Sequence, residues 1–180
     1  MRNPQNQDWN YIMRVFHFIR STAIALAAMA TAWSAMAGEG LDLSAVGEPG
    51  DAASADRTVE ITLGDNFFEP ASVTVTRGET VRFVLVNEGE FLHEFNIATP
   101  DMHMNHQAEM MVMMEHGMLT ATDFEPMPGH SHEYANSVLI RPGETAEVVW
   151  TFSGDAQLEF ACNVPGHYDA GMAGPIDIVE

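Results

Sequence analysis

Eleven residues near the C-terminus, Cys162-Asn163-Val164-Pro165-Gly166-His167-Tyr168-Asp169-Ala170-Gly171-Met172, hold a thiol, an imidazole and a thioether in that order, with four residues in each gap. Pro165, Gly166, Gly171 and Gly174 provide tight turns, so such a loop can fold its three donors onto one point. A thiolate, an imidazole and a weak thioether suit a copper ion that cycles between Cu(I) and Cu(II). Zinc also accepts Cys and His, but a thioether is not among its usual ligands. Cys162 is the only cysteine, so no intramolecular disulfide exists. In an exported protein a lone thiol is expected to be buried, metal-bound or reactive.

A trigonal site needs a second imidazole, and strand parity points to one. Side chains alternate along a strand, so Leu158, Phe160 and Cys162 share a face, as do His93, Phe95 and Ile97. If the apolar members face the core, Cys162 and His93 do too. The other six histidines fall in the N-terminal segment (His17) or in a second unusual region.

That region lies between Met102 and Met127, where eight of 26 residues are methionine. His103, His106, His116, His130 and His132 are in it or beside it. Residues Asn105 to Leu119 read as a helix, with His106, Met110, Met113 or Met114, and Met118 in one stripe. Three readings follow. One is a Met-rich helix packed on the rest of the domain. A second is a soft-donor surface for additional Cu(I), drawing on Met102, His103, Met104, His106, Met110, Met113, Met114, His116, Met118, His130 and His132. A third is a partner-docking surface that uses the plasticity of methionine.

Around these segments the chain alternates as β-strands do. Val59, Ile61 and Leu63 share a face, as do Val73 and Val75, and Val81–Val86 is apolar enough for a strand covered on both faces. Turns fall at Gly64-Asp65-Asn66, Arg77-Gly78-Glu79 and Arg141-Pro142-Gly143-Glu144. Further strands are expected at Val138–Ile140, Ala146–Phe152, Leu158–Cys162 and Ile176–Val179. About seven short strands with closely spaced turns indicate an all-β sandwich, interrupted by the partly helical Met/His-rich insertion 101–132. Residues 38–57, rich in Gly, Ala, Asp and Ser, read as a flexible leader. Residues 1–37 read as a cleaved, Sec-type export signal: Arg2, Arg14 and Arg20, an apolar run from Thr22, and Ala35-Met36-Ala37 before Gly38. The apolar run is shorter than the roughly 20 residues of a membrane span. A periplasmic protein with no membrane span in its mature form is expected.

Asn66-Phe67-Phe68-Glu69-Pro70, the segment Val73–Val81, Asn87, His93 and the Cys162–Met172 loop together resemble the cupredoxins, the plastocyanin- and azurin-like blue copper proteins. The resemblance covers about residues 58–100 and 137–180. It implies an eight-stranded Greek-key β-sandwich holding one type 1 copper, with His93, Cys162 and His167 equatorial and Met172 axial. The Met/His insertion makes the chain similar to periplasmic cupredoxins of copper tolerance. At the position after the first histidine, where family members often carry Asn or Ser, this chain has Glu94.

Charge narrows the remaining classes. All seven basic residues are Arg, against 26 acids, for a net charge of −19. A chain this acidic is not expected to bind nucleic acid through phosphates. A redox partner would need a basic docking face. No second domain, multinuclear copper motif or catalytic serine, paired-acid or phosphate-loop motif is present, so no enzymatic activity and no catalytic residue is expected. A monomer acting in copper tolerance is expected, with single-electron transfer between periplasmic redox partners as the alternative.

Overall fold

The computed structural model describes residues 43–125 and 134–180. The export signal 1–37, the beginning of the expected leader, and His130 and His132 lie outside the described residues.

Among the described residues, ten strands form two five-stranded sheets. They are β1 (Glu48–Pro49), β2 (Arg57–Gly64), β3 (Phe67–Glu69), β4 (Val73–Thr76), β5 (Thr80–Asn87), β6 (His93–Ala98), β7 (Ser137–Ile140), β8 (Thr145–Thr151), β9 (Leu158–Ala161) and β10 (Ala173–Val179). One sheet runs β1-β8-β5-β2-β3 and the other β4-β10-β9-β6-β7, with β2/β5 and β4/β10 parallel and the remaining pairs antiparallel. The expected all-β sandwich is present. Alternation explains its core: Ile61, Leu63, Val81, Phe83, Leu85, Phe95, Ile97, Trp150 and Phe160 are fully enclosed. Phe68 meets Phe160 edge-on at 5.1 Å, and Phe95 stacks on Phe160 at 5.5 Å. Each such pair adds about 0.5–1.5 kcal/mol beyond area burial.

One expectation about strand environment is corrected. The continuously apolar β5 is buried on one face only: Val81, Phe83, Leu85 and Asn87 are buried, while Arg82, Val84 and Val86 are half-buried. Arg82 lies on the outer face, paired with Glu147. The strand enclosed on both faces is β6, every residue of which is buried. Its second cover is the helix α1 (Pro100–Glu115), whose inward side buries His103, His106, Met110 and Met113.

That helix begins five residues before the expected Asn105 and ends at Glu115 rather than Leu119. Thr99 caps it by accepting from the Met102 amide at 3.3 Å, Pro100 takes a first-turn position, and Asp101 complements the positive end of the dipole. It stops where Gly117 turns with φ +73°. Beyond it, Leu119 bridges to Phe124, and Arg141 covers the Phe124 ring at 4.3 Å.

The leader is also corrected. Residues 43–50 are docked rather than free: β1 pairs with β8, and Val46 is fully enclosed. The Trp150 indole donates to the Val46 carbonyl at 3.2 Å. A short, polar segment carries no period to read, yet one apolar side chain and one backbone acceptor suffice to dock it.

Candidate metal centre

Parity delivers the first two donors as expected. His93 opens β6 on its core side and Cys162 directly follows β9, and both are fully buried. The β6/β9 pairing of Asn96 with Ala161 brings their ends together. The loop beyond Cys162 then doubles back. His167 donates its amide to Val164, Ala170 to Gly166, and Gly171 to Tyr168 at 3.0, 3.1 and 2.9 Å. Gly166 and Gly171 adopt φ +90° and +96°, values costly for any residue with a Cβ. Met172, wholly buried, is tied to both donors through its backbone. Its carbonyl accepts from the Cys162 amide at 3.1 Å, and its amide donates to the His167 carbonyl at 3.0 Å.

The result is a triangle of donor atoms. His93 Nδ1 and His167 Nδ1 are 3.2 Å apart, and Cys162 Sγ lies 3.9 Å from the former and 3.3 Å from the latter. One point lies about 2.0 Å from all three atoms, close to typical metal–nitrogen bonds and slightly short of the roughly 2.3 Å of metal–sulfur bonds. His93 Nε2 faces the Asp65 carboxylate at 3.2 Å, which places its proton there and leaves Nδ1 bare. With His93 Nδ1 bare, a cation at that point satisfies all three donors. Two imidazoles and a thiolate in a trigonal array, with a thioether residue in the same loop, are the donors of a blue-copper centre, so the residues fit that metal.

The electrostatics agree. Burial pushes both imidazoles below their ordinary value, helped at His167 by its neighbour His93 and opposed at His93 by Asp65. Both rings are therefore neutral and ready to ligate. Burial raises the Cys162 thiol to about 12, with the Glu94 charge adding to it, so a metal must displace its proton. Partial burial raises the Asp65 carboxyl, but the Glu90 amide, the His93 ring and the Phe91 amide outweigh it and hold it below its usual range.

Asp65 gave no sign in the sequence beyond its turn. Asn66 at φ +69° closes that turn, and Asp65 accepts from the Glu90 and Phe91 amides at 3.0 and 3.4 Å. Gly89 allows the approach, because a Cβ there would sit 2.8 Å from His93 Nε2 and collide with Asp65. Carboxylate–histidine–metal relays of this kind orient the ring and raise its basicity.

The insertion donors divide. His103, His106, Met110 and Met113 are buried, and both histidines are engaged: His103 with Asn163 and the Glu159 carbonyl, His106 with Glu94 and Glu109. Met102, Met114 and Met118 are half-buried against the core. The solvent-facing donors are Met104, His116 and Met111, the last of which the expected stripe omitted. Among the described residues, His93, Cys162 and His167 form the only cluster of three or more His, Cys, Asp or Glu close enough to share an ion.

The family described as "Cupredoxin-like domain" matches residues 22–113. The chain is 48% identical over 149 residues to the copper-resistant cuproprotein CopI of Pseudomonas aeruginosa, an alignment spanning 74% of this chain and 82% of that protein. The CopI of Rubrivivax gelatinosus is 40% identical over 131 residues, 72% of this chain and 71% of its own. Among solved structures, the dithionite-reduced auracyanin of Roseiflexus castenholzii superposes with a TM-score of 0.54 at 20% identity, over 70% of this chain and 99% of its own. An azurin from Methylomonas sp. strain J gives 0.50 at 20% identity, over 70% of this chain and 100% of its own. These two likenesses concern the fold.

Proposed function

Since the chain belongs to the cupredoxin-like family and is homologous to copper-resistant cuproproteins, we propose that it is a periplasmic copper protein of copper tolerance, holding one copper at His93, Cys162, His167 and Met172. The observation that carries this reading is the convergence of the three donor atoms on one bonding distance. When bound, copper supplies a one-electron couple and an intense thiolate-to-metal absorption. The protein's own part is to hold the donors in place before the ion arrives. Asp65 keeps the proton of His93 on Nε2, the Glu94 amide donates to Cys162 Sγ at 3.3 Å, and the paired sheets exclude water.

Additional Cu(I) belongs, in this reading, to the solvent-facing donors of the insertion: Met104, Met111 and His116. Met104 and Met111 are seven residues apart on α1, two turns or about 10 Å, so they act as separate soft donors rather than one chelate. A single-electron carrier is the second reading, and one feature favours it. His167 is only half-buried, and its ring lies 6.4 Å from that of the exposed Phe91, which leaves the ligand edge accessible to a redox partner. The acidic surface selects a partner with a basic face for either role.

Copper loading tests both parts. Wild-type protein should show the thiolate-to-copper band and C162S should lack it, and a band retained in C162S overturns the site. Wild type should bind more than one Cu(I) per chain, and M104L/M111L/H116Q fewer. One Cu(I) in both favours the electron carrier.

A further inference from the structure

Glu94 sits on the outer face of β6, where a carboxylate would ordinarily meet water, yet only 2% of it is exposed because α1 covers it. A buried carboxylate is costly unless paired and hydrogen-bonded, and this one is amply supplied. It accepts from Ser137 Oγ at 2.6 Å, Asn163 Nδ2 at 2.8 Å, the Asn163 amide at 3.2 Å and His106 Nε2 at 2.9 Å. The other nitrogen of His106 faces Glu109 at 3.0 Å. With a carboxylate at each nitrogen, that ring is an imidazolium. A second helical histidine meets the same asparagine, His103 Nδ1 lying 3.1 Å from Asn163 Nδ2.

Asn163 directly follows Cys162. Glu94 therefore holds the metal loop twice: its amide donates to the sulfur, and its carboxylate clamps the next residue. We infer that the insertion helix is a working part of the metal centre, in which Glu94 is a positioning residue that clamps the cysteine loop while its pairing with His106 sets the electric field at the Cys162 sulfur. This rests on the copper reading above. The helix thereby gains a role independent of any ion it captures on its outer side.

The sign of the field gives the test. A negative charge beside the centre favours Cu(II), and its positive partner offsets that preference. E94Q removes the negative member and should raise the reduction potential of the copper-loaded protein. H106Q keeps a hydrogen-bond donor but strands the carboxylate, and should lower it. E94Q/H106Q should return toward wild type, and E94Q should also weaken copper binding by roughly 10- to 100-fold. S137A, which deletes one hydrogen bond without stranding a charge, is the mildest variant and should lower the potential by a smaller step. Opposite shifts in E94Q and H106Q, with a displaced visible band, support the inference. Equal or same-direction shifts, or unchanged potentials and bands with only a loss of stability, overturn it and reduce the pair to a structural staple. If E94Q fails to fold, an unchanged potential in H106Q and S137A overturns it equally. A wild-type protein with no thiolate-to-copper band overturns the copper reading itself, a result distinct from all of these.

Discussion

At the scale of single residues, the centre is an arrangement of protons as much as of donors. Asp65 fixes the proton of His93 on the ring nitrogen that faces away from Cys162. Replacing it by Asn removes the charge while keeping the shape, and D65N should bind copper roughly tenfold more weakly. Competition against a chelator of known affinity checks this. The cysteine, histidine and thioether were legible because they lie within eleven residues, and His93 because strand parity fixes its face. Asp65 was not, since its part depends on a turn 28 positions from His93 and on the bare backbone of Gly89. Glu94 stood out only as a departure from the family pattern. Its partners come from α1, β7 and the cysteine loop, which no local pattern unites.

At the scale of elements, α1 is fastened to β6 by charge as well as by apolar contact. Burial alone would lower His106, but Glu94, and then Glu109, hold it protonated to about 9. Tyr134 completes its surroundings, ring to ring at 6.2 Å. The His106 contribution is thus complete below its ordinary value of 6.5 and is lost as pH rises through about 9, on the order of 3 kcal/mol. Denaturant titrations of the metal-free protein should show stability falling across that window, and H106Q should flatten the fall. The stripe of His106, Met110 and Met113 was legible as one helical face, but its direction was not. Histidine and methionine suit a surface or an interior equally, and only the empty outer face of β6 decides between them. The start of the helix was legible in principle in Thr99-Pro100-Asp101, a cap, a first-turn proline and a first-turn acid.

At the scale of the whole molecule, the sandwich is closed by a segment that composition alone would leave outside it. Residues 43–50 add β1 to the sheet edge, seat Val46 in the core and satisfy the Trp150 indole. A chain beginning at Asp51 loses that hydrogen bond, about 0.5–1.5 kcal/mol net, and the Val46 burial besides. Thermal unfolding should shift down by several degrees while the copper band stays where it was. Parity and turns sufficed for the layers. They gave no warning of this lacing, because two residues of strand leave no period.

The enclosure is uneven. His93, Cys162 and Met172 have no contact with solvent, whereas His167 keeps one edge in it. In the copper reading, the donor set therefore meets solvent on the His167 side, beside the turn 163–171. The tempo of exchange, in that reading, is then tied to the stiffness of that turn.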